Sequence, residues 1–437
     1  MQSWTKFFAT PTALAVALAV VALAAMACGA GTVTDDGSAD WQATTTTEGD
    51  RTIVHTTSGS VWGGAAQMVE EAVIGVEVGE EAYMLGRVAA VAASSDRIYV
   101  LDASVPIVRV YDMAGQHVQD IGAAGDGPGE FRQPAAMGIG PDGRVYVRDD
   151  SQARITLFEP DGTLVETWPL GGGLMLFGMP IVIAHDGTVF SPGRADAGED
   201  FDFSSLRIGM IPRGPEGPSG DPLEPPDFGF DTERFEIIAR MGDMVNVAMW
   251  PVPYWPEEEW VMSPSGAMIA GVSNDYRFEI HHPDGRVTVV EKEWQPVPLE
   301  GDEAEWHRSD TTAEIRGMSP EWVWDGPDLP ATKPAFERFG ADESGRIWVL
   351  RAGPGIYNPE CSEDPEVDGP PCWTDTPLLD VFDLEGRFLG SVDAPDDLDV
   401  FDDFFVPPYV KDDLMISVVE DEWGTIQVKR YRLVLPE

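Results

Sequence analysis

The sequence predicts an all-β chain assembled from repeated small sheets, and two observations carry that prediction. The first is an internal repeat. Asp96-Arg97-Ile98-Tyr99-Val100-Leu101-Asp102, followed by Val108-Arg109-Val110-Tyr111-Asp112, returns as Gly143-Arg144-Val145-Tyr146-Val147-Arg148-Asp149, followed by Ile155-Thr156-Leu157-Phe158-Glu159. The copies lie 47 residues apart, counted from Arg97 to Arg144. Each alternates apolar and polar residues, turns, and alternates again, the period of strand, turn, strand. The second observation is turn chemistry. Asp142-Gly143, Asp161-Gly162, Asp186-Gly187 and Asp284-Gly285 recur between apolar runs, with Ser265-Gly266, Ser344-Gly345 and Glu385-Gly386 in equivalent places. Glycine tolerates positive φ and the aspartate caps the turn, so these are hairpin signals. The 46 Gly and 36 Pro of this 437-residue chain fit many short strands joined by tight turns.

Gly125-Asp126-Gly127-Pro128-Gly129-Glu130-Phe131, then Pro134, Pro141-Asp142-Gly143 and Arg154-Ile155, resembles an NHL repeat. Pro251-Val252-Pro253-Tyr254, Asp275-Tyr276-Arg277, Lys333-Pro334-Ala335-Phe336 and Gly345-Arg346-Ile347-Trp348-Val349 are similar to pieces of bacterial six-bladed β-propellers related to NHL proteins. The resemblance spans about Gly86 to Leu435 and implies an NHL-like, six-bladed β-propeller with a short helical insertion. Ile107 departs from the repeat, which has Arg there.

On that reading the domain is 51–437, with blades at 86–131, 132–173, 174–232, 233–299, 333–397 and 398–437. The last blade is one strand short, and the β run Arg51 to Trp62 is expected to complete it and close the ring, leaving no sheet edge exposed. Two insertions interrupt the blades. Residues 213–231, rich in Pro, Gly and acid, read as a loop. Within 299–332, Leu299 to Arg316 reads as a helix stopped by Gly317.

The N-terminus is a targeting segment. One positive side chain, Lys6, precedes the apolar run Ala13 to Ala27, which ends at Cys28. That run is shorter than the roughly 20 residues of a membrane span and has the layout of a secretory signal. Leu23-Ala24-Ala25-Met26-Ala27-Cys28 resembles a bacterial lipobox, although Ala25 stands where that pattern prefers Leu. The expectation is a signal peptide over 1–27, lipid attachment to the membrane through Cys28, and a place in the bacterial cell envelope outside the cytoplasm. Residues 28–50, rich in Thr, Gly, Ser and Asp, are expected to form a flexible tether, having too little apolar surface to offset ordering. Of the three cysteines, Cys361 and Cys372 remain to pair, and an oxidising compartment favours a disulfide between them.

Charge excludes some partners. With 76 acidic and 28 basic residues the formal net charge is −48, which repels nucleic acid and anionic headgroups. Catalytic templates are missing: there is no Gly-x-Ser-x-Gly elbow and no His-Glu-x-x-His. The six histidines occupy different positions in the repeats, and adjacent His281 and His282 face opposite ways if they lie on a strand. Among the expected innermost strands only Glu337 and Arg338 are charged, fewer oxygens than the six to eight that calcium takes. No cofactor is predicted, and calcium stays open. The 14 Trp exceed what blade cores need, so some are expected on excursions. Tyr254, Trp255 and Trp306 are the candidate binding residues, because aromatics on loops either anchor a partner or pack the insertions down. The expected role is a non-catalytic binding protein for a protein, peptide or glycan. The alternative is a metal-assisted propeller hydrolase or lyase, such as a lactonase.

Overall fold

The structure, a computed structural model, describes residues 40–170, 179–194, 208–241, 244–362, 370–395, 398, 406–421 and 423–436. The expected signal peptide, Cys28 and the first part of the expected tether lie outside the described residues.

Alternating runs fold into six antiparallel sheets. Blade one holds Val88–Ala93, Arg97–Asp102, Ile107–Asp112 and His117–Ile121. Blade two holds Pro134–Ile139, Val145–Asp149, Arg154–Phe158 and Leu164–Pro169. Blade three holds Val182–Ile183, Val189–Arg194, Ile208–Gly214 and Gly217–Pro218. Its short outer strand falls inside the stretch 213–231 expected to be wholly loop. Blade four is built on Glu258–Met262, Met268–Val272, Arg277–His281 and Val287–Lys292. Blade five is built on Arg338–Ala341, Arg346–Tyr357, Trp373–Asp383 and Phe388–Asp393. Blade six holds Tyr409–Lys411, Leu414–Glu420 and Ile426–Val434 from the C-terminal end of the chain.

Each pair of neighbouring blades buries an apolar cluster between its faces. Val108, Phe131 and Val147 join blades one and two. Ile155, Ile183 and Val189 join two and three. Phe190, Met262 and Met268 join three and four. Phe278, Phe339 and Phe382 join four and five. Val381, Val392 and Tyr431 join five and six. Ile98, Val100 and Ile416 join six back to one. Six interfaces for six blades make a closed ring, held by burial at about 25 cal/mol per Å² of apolar surface.

The closing strand is not the expected one. Near the N-terminus stand β1 (Gln42–Glu48), β2 (Arg51–Ser58) and β3 (Ala66–Ile74). It is β3 that completes blade six, antiparallel to Ile426–Val434, and it also touches Val392 and Asp393 of blade five in parallel. Ala66 and Ile74 are fully buried there. Charge selects the pairing: Lys429 meets Glu70 at 2.9 Å, and Arg430 and Arg432 meet Glu71 at 2.8 and 2.7 Å. Opposite charges across a ladder favour one register, and β2 offers that basic strand no acid. Instead β2 runs parallel to Val287–Lys292 on the outside of blade four, and β1 pairs with β2. The expected tether to residue 50 is corrected on the same ground. The Thr44–Thr47 run is β-branched, suits a strand, and is held by β2.

Strand direction sorts the connections onto two faces. Turns between first and second strands, and between third and fourth, fall on one face. These are the Asp-Gly, Ser-Gly and Glu-Gly turns, whose glycines at 143, 162, 187, 266, 285, 345 and 386 have φ of +79° to +88°. Asp142, Asp161 and Asp186 accept backbone N–H bonds there at 2.9–3.1 Å. Among the described residues, the other face carries the long excursions. A separate hairpin, Arg234–Met241 and Met244–Pro251, precedes blade four's first strand, so the expected blade boundary at 233 is moved to 258. The helix Gly301–Met318 precedes blade five, two residues beyond the expected end at Arg316, with Gly317 in its last turn. The third excursion is the extended tip between the middle strands of blade five, closed by the disulfide Cys361–Cys372. Among the described residues no helix is long and apolar enough to cross a membrane.

Candidate functional site

The three excursions meet over blades four and five. Under them Phe235 and Ile237 of the hairpin, Val252 and Ile315 of the helix are buried together, with Trp250, Trp255, Trp322 and Trp324 packed on their rim. Phe235 lies edge-on to Trp322 and Trp324, at 5.1 and 4.6 Å between ring centres. This small core exists because each excursion alone has too few apolar residues to fold.

A chain of polar groups runs beneath it. Tyr254 sits just before blade four with φ of +58°, a conformation that L side chains rarely adopt. Its hydroxyl lies 2.8 Å from His307 Nε2 and 3.0 Å from Asp375 Oδ2. Burial, reinforced by the charge of Lys333, pushes the His307 imidazole down to about 4, so it is neutral at ordinary pH. The carboxylate can only accept, so Tyr254 donates to Asp375 and His307 Nε2–H donates to Tyr254. The other oxygen of Asp375 takes the ammonium of Lys333. That ammonium also meets Glu303 Oε1 at 2.6 Å and donates to the Gly353 carbonyl at 2.9 Å. Lys333 and Glu303 are 1% exposed or less. Gly355 makes room for this pair, since a Cβ there would stand 2.3 Å from Glu303 Oε1.

Lys333 donates to Gly353 and Asp375 and is ion-paired with Glu303, whose Oε1 has no hydrogen-bond partner, and the tyrosine proton is spent. This network pins the helix to blade five and offers no free nucleophile. Among the described residues no three His, Cys, Asp or Glu side chains are grouped so as to hold a metal. His281 meets Glu279 at 2.9 Å, and His282, one residue past the strand, meets Thr288 at 3.0 Å.

Of the sequence candidates, Tyr254 and Trp306 are brought together, because the ring of His307 lies 4.9 Å from Tyr254 and 4.7 Å from Trp306. Trp255 packs into the excursion core. Tyr254, Trp255 and Trp306 are all partly exposed, but the Tyr254 hydroxyl is turned inward onto His307 and Asp375. Lys333, Asp375, Glu303 and His307 were not singled out. Their signal was faint: a lysine in an acid-rich chain, between the insertion helix and blade five.

Next to the pin, burial pushes Glu259 up to about 8, with Glu257 adding to it, and pushes Glu337 up to about 7, with Asp375 adding to it. Glu337 Oε1 is buried without a hydrogen-bond partner. A carboxyl raised in the folded state holds its proton there more tightly than in the unfolded chain. Its contribution is therefore present below about pH 4.5 and is lost as pH rises through 7 to 8. Glu259→Gln and Glu337→Gln are expected to melt within error of the parent at pH 5 and several degrees above it at pH 9. Equal melting at both pH values would refute the burial of these two groups.

Residues 45–170 match a family model described as 6-bladed beta-propeller. The chain is a six-bladed β-propeller. No curated protein matches it. The propeller is similar to a member of the DUF4221 family from Bacteroides vulgatus, with 10% identity, 85% of this chain and 99% of that chain covered, and a TM-score of 0.44. It is also similar to virginiamycin B lyase from Staphylococcus aureus, with 10% identity, 93% and 94% covered, and a TM-score of 0.32.

Proposed function

We propose that the protein is an exported, lipid-anchored propeller of NHL-like type that binds a protein, peptide or glycan without transforming it. The reading rests on one observation: the long excursions rise from a single face, the hairpin and the helix share a core of their own, and Tyr254, His307, Asp375 and Lys333 beneath are bonded to one another. A rigid platform with elaborated loops on one side is a common arrangement for recognition. Partly exposed Trp306 and Trp255 are the contacts, and Tyr254 holds the helix that carries Trp306. The leader sequence supports anchoring through Cys28 in the cell envelope, and the disulfide Cys361–Cys372 suits that compartment.

A photo-cross-linking residue placed at Trp306, and separately at Asp161 on the opposite face, tests this in cells. The expected outcome is a discrete adduct from position 306 and none from 161. The same adducts from both positions, or none from 306, would remove the face assignment.

A further inference from the structure

We propose that the outer edge of the hairpin strand Met244–Pro251 docks an extended, cationic segment of another polypeptide as a third strand. The proposal deepens the binding reading above and rests on it. The hairpin is a sheet of two strands, with no further strand paired to it among the described residues. The helix Gly301–Met318 lies against the first strand.

The ladder shows which backbone groups are free. Met241 and Met244 are partners with two residues between them in sequence, and a closing pair of that kind exchanges both of its bonds. Counting outward by twos, Ala239 with Asn246, Ile237 with Ala248 and Phe235 with Trp250 do the same. Val245, Val247 and Met249 therefore point N–H and C=O away from the first strand. Proteins normally blunt such an edge with charge. Met244-Val245-Asn246-Val247-Ala248-Met249-Trp250-Pro251 has no charged residue, in a chain where 24% of residues are charged. Met249 is 55% exposed and Ile238, on the neighbouring strand, is 50% exposed.

Charge identifies the occupant. Exposed acids lie on the hairpin and on the segments packed with it: Glu236 on its first strand and Glu233 just before it, Asp302 and Glu305 on the helix, Glu321 and Asp325 beyond. Of the bases on these segments, Arg234 pairs with Glu257 at 3.1 Å and Arg308 with Asp328 at 3.3 Å, while Arg316 donates to the Trp322 carbonyl at 3.0 Å; with Arg240 on the first strand, the acids still outnumber them. A second copy would bring another formal charge of −48 to the same edge. An extended segment alternating basic and apolar residues supplies the missing ladder bonds, covers Met249 and meets the acids. This is strand addition.

The test uses the full chain and three labelled decapeptides: alternating Lys and Val, alternating Lys and Pro with the same charge, and alternating Glu and Val. The Lys-Val peptide is expected to bind about ten-fold or more tighter than either other peptide. Val247→Pro, which removes an outward N–H and no ladder bond, is expected to weaken it about ten-fold. Met249→Lys is expected to weaken it and Met249→Glu is not; both change an exposed position and leave the fold intact. Equal binding of the Lys-Pro peptide would reduce the effect to bulk charge and overturn the proposal. So would an affinity indifferent to Val247→Pro and Met249→Lys, an absence of peptide binding, or self-association in sedimentation that Val247→Pro abolishes. If position 306 still cross-links a partner while the peptides fail, this edge assignment falls and the binding face stands. If both fail, both fall.

Discussion

A chain that begins at Gly59 is expected to melt cooperatively, and one that begins at Gly79 is not. The first lacks β1 and β2, which flank blade four from outside. The second also lacks β3, the strand that closes the ring. Its loss strips Ile74 and Ala66 from two blade interfaces and leaves Ile426–Val434 as an open edge. Burying an isoleucine is worth about 1.5–3 kcal/mol, and each ladder bond adds about 0.5–1.5 kcal/mol. Together these rival the whole stability of an ordinary domain, about 5–15 kcal/mol. Lys429, Arg430 and Arg432 also lose the carboxylates they face. Calorimetry of the two truncations decides it. A cooperative transition from the Gly79 chain, within a few degrees of the parent, would show that β3 is dispensable. Failure of the Gly59 chain would show that β2 is needed after all.

The second large effect is expected at Lys333. Replacing it with Met keeps the bulk and removes the charge that two buried carboxylates share. Breaking a buried pair from one side typically costs about 3–5 kcal/mol, because the remaining charge is stranded. In Lys333→Met, Glu303 and Asp375 must either stay charged in a dry site or take up protons. Burial already raises Asp375, with Lys333 acting to lower it, so removing the lysine raises it further. The deficit is therefore expected to be larger at pH 8 than at pH 5, as follows for acids that are more protonated when folded. Urea unfolding at the two pH values measures it. A variant that removes all three charges together, Lys333→Met with Glu303→Met and Asp375→Leu, is expected to recover much of the loss. A single Lys333→Met change that costs under about 1 kcal/mol at both pH values would mean that the network is ornamental.

What was legible beforehand follows from the range of each interaction. Strand alternation and Asp-Gly turns are local: a residue's neighbours set them, so Arg97–Asp112 and Val145–Phe158 could be read as paired strands, and their turn glycines do have the positive φ they were expected to need. The helix near Leu299–Arg316 was legible for the same reason, since its capping acids lie in its own first turn. Ring closure was not. Arg51–Ser58 and Ala66–Ile74 are both acceptable strands, and the choice between them lies with Lys429, Arg430 and Arg432 at the far end of the chain. The aromatic candidates were half legible. Composition pointed to Tyr254, Trp255 and Trp306, but nothing near Tyr254 announces that its hydroxyl is taken by His307 and Asp375.

The sequence by itself determined the all-β class, the blade repeat, the tight turns and the disulfide, because each depends on side chains a few residues apart or on what is left to pair. Only the tertiary structure decided which strand closes the ring, which face gathers the excursions and how Lys333 is buried. Those depend on groups separated by tens to hundreds of residues, whose charges and apolar faces have no partner until the blades are stacked.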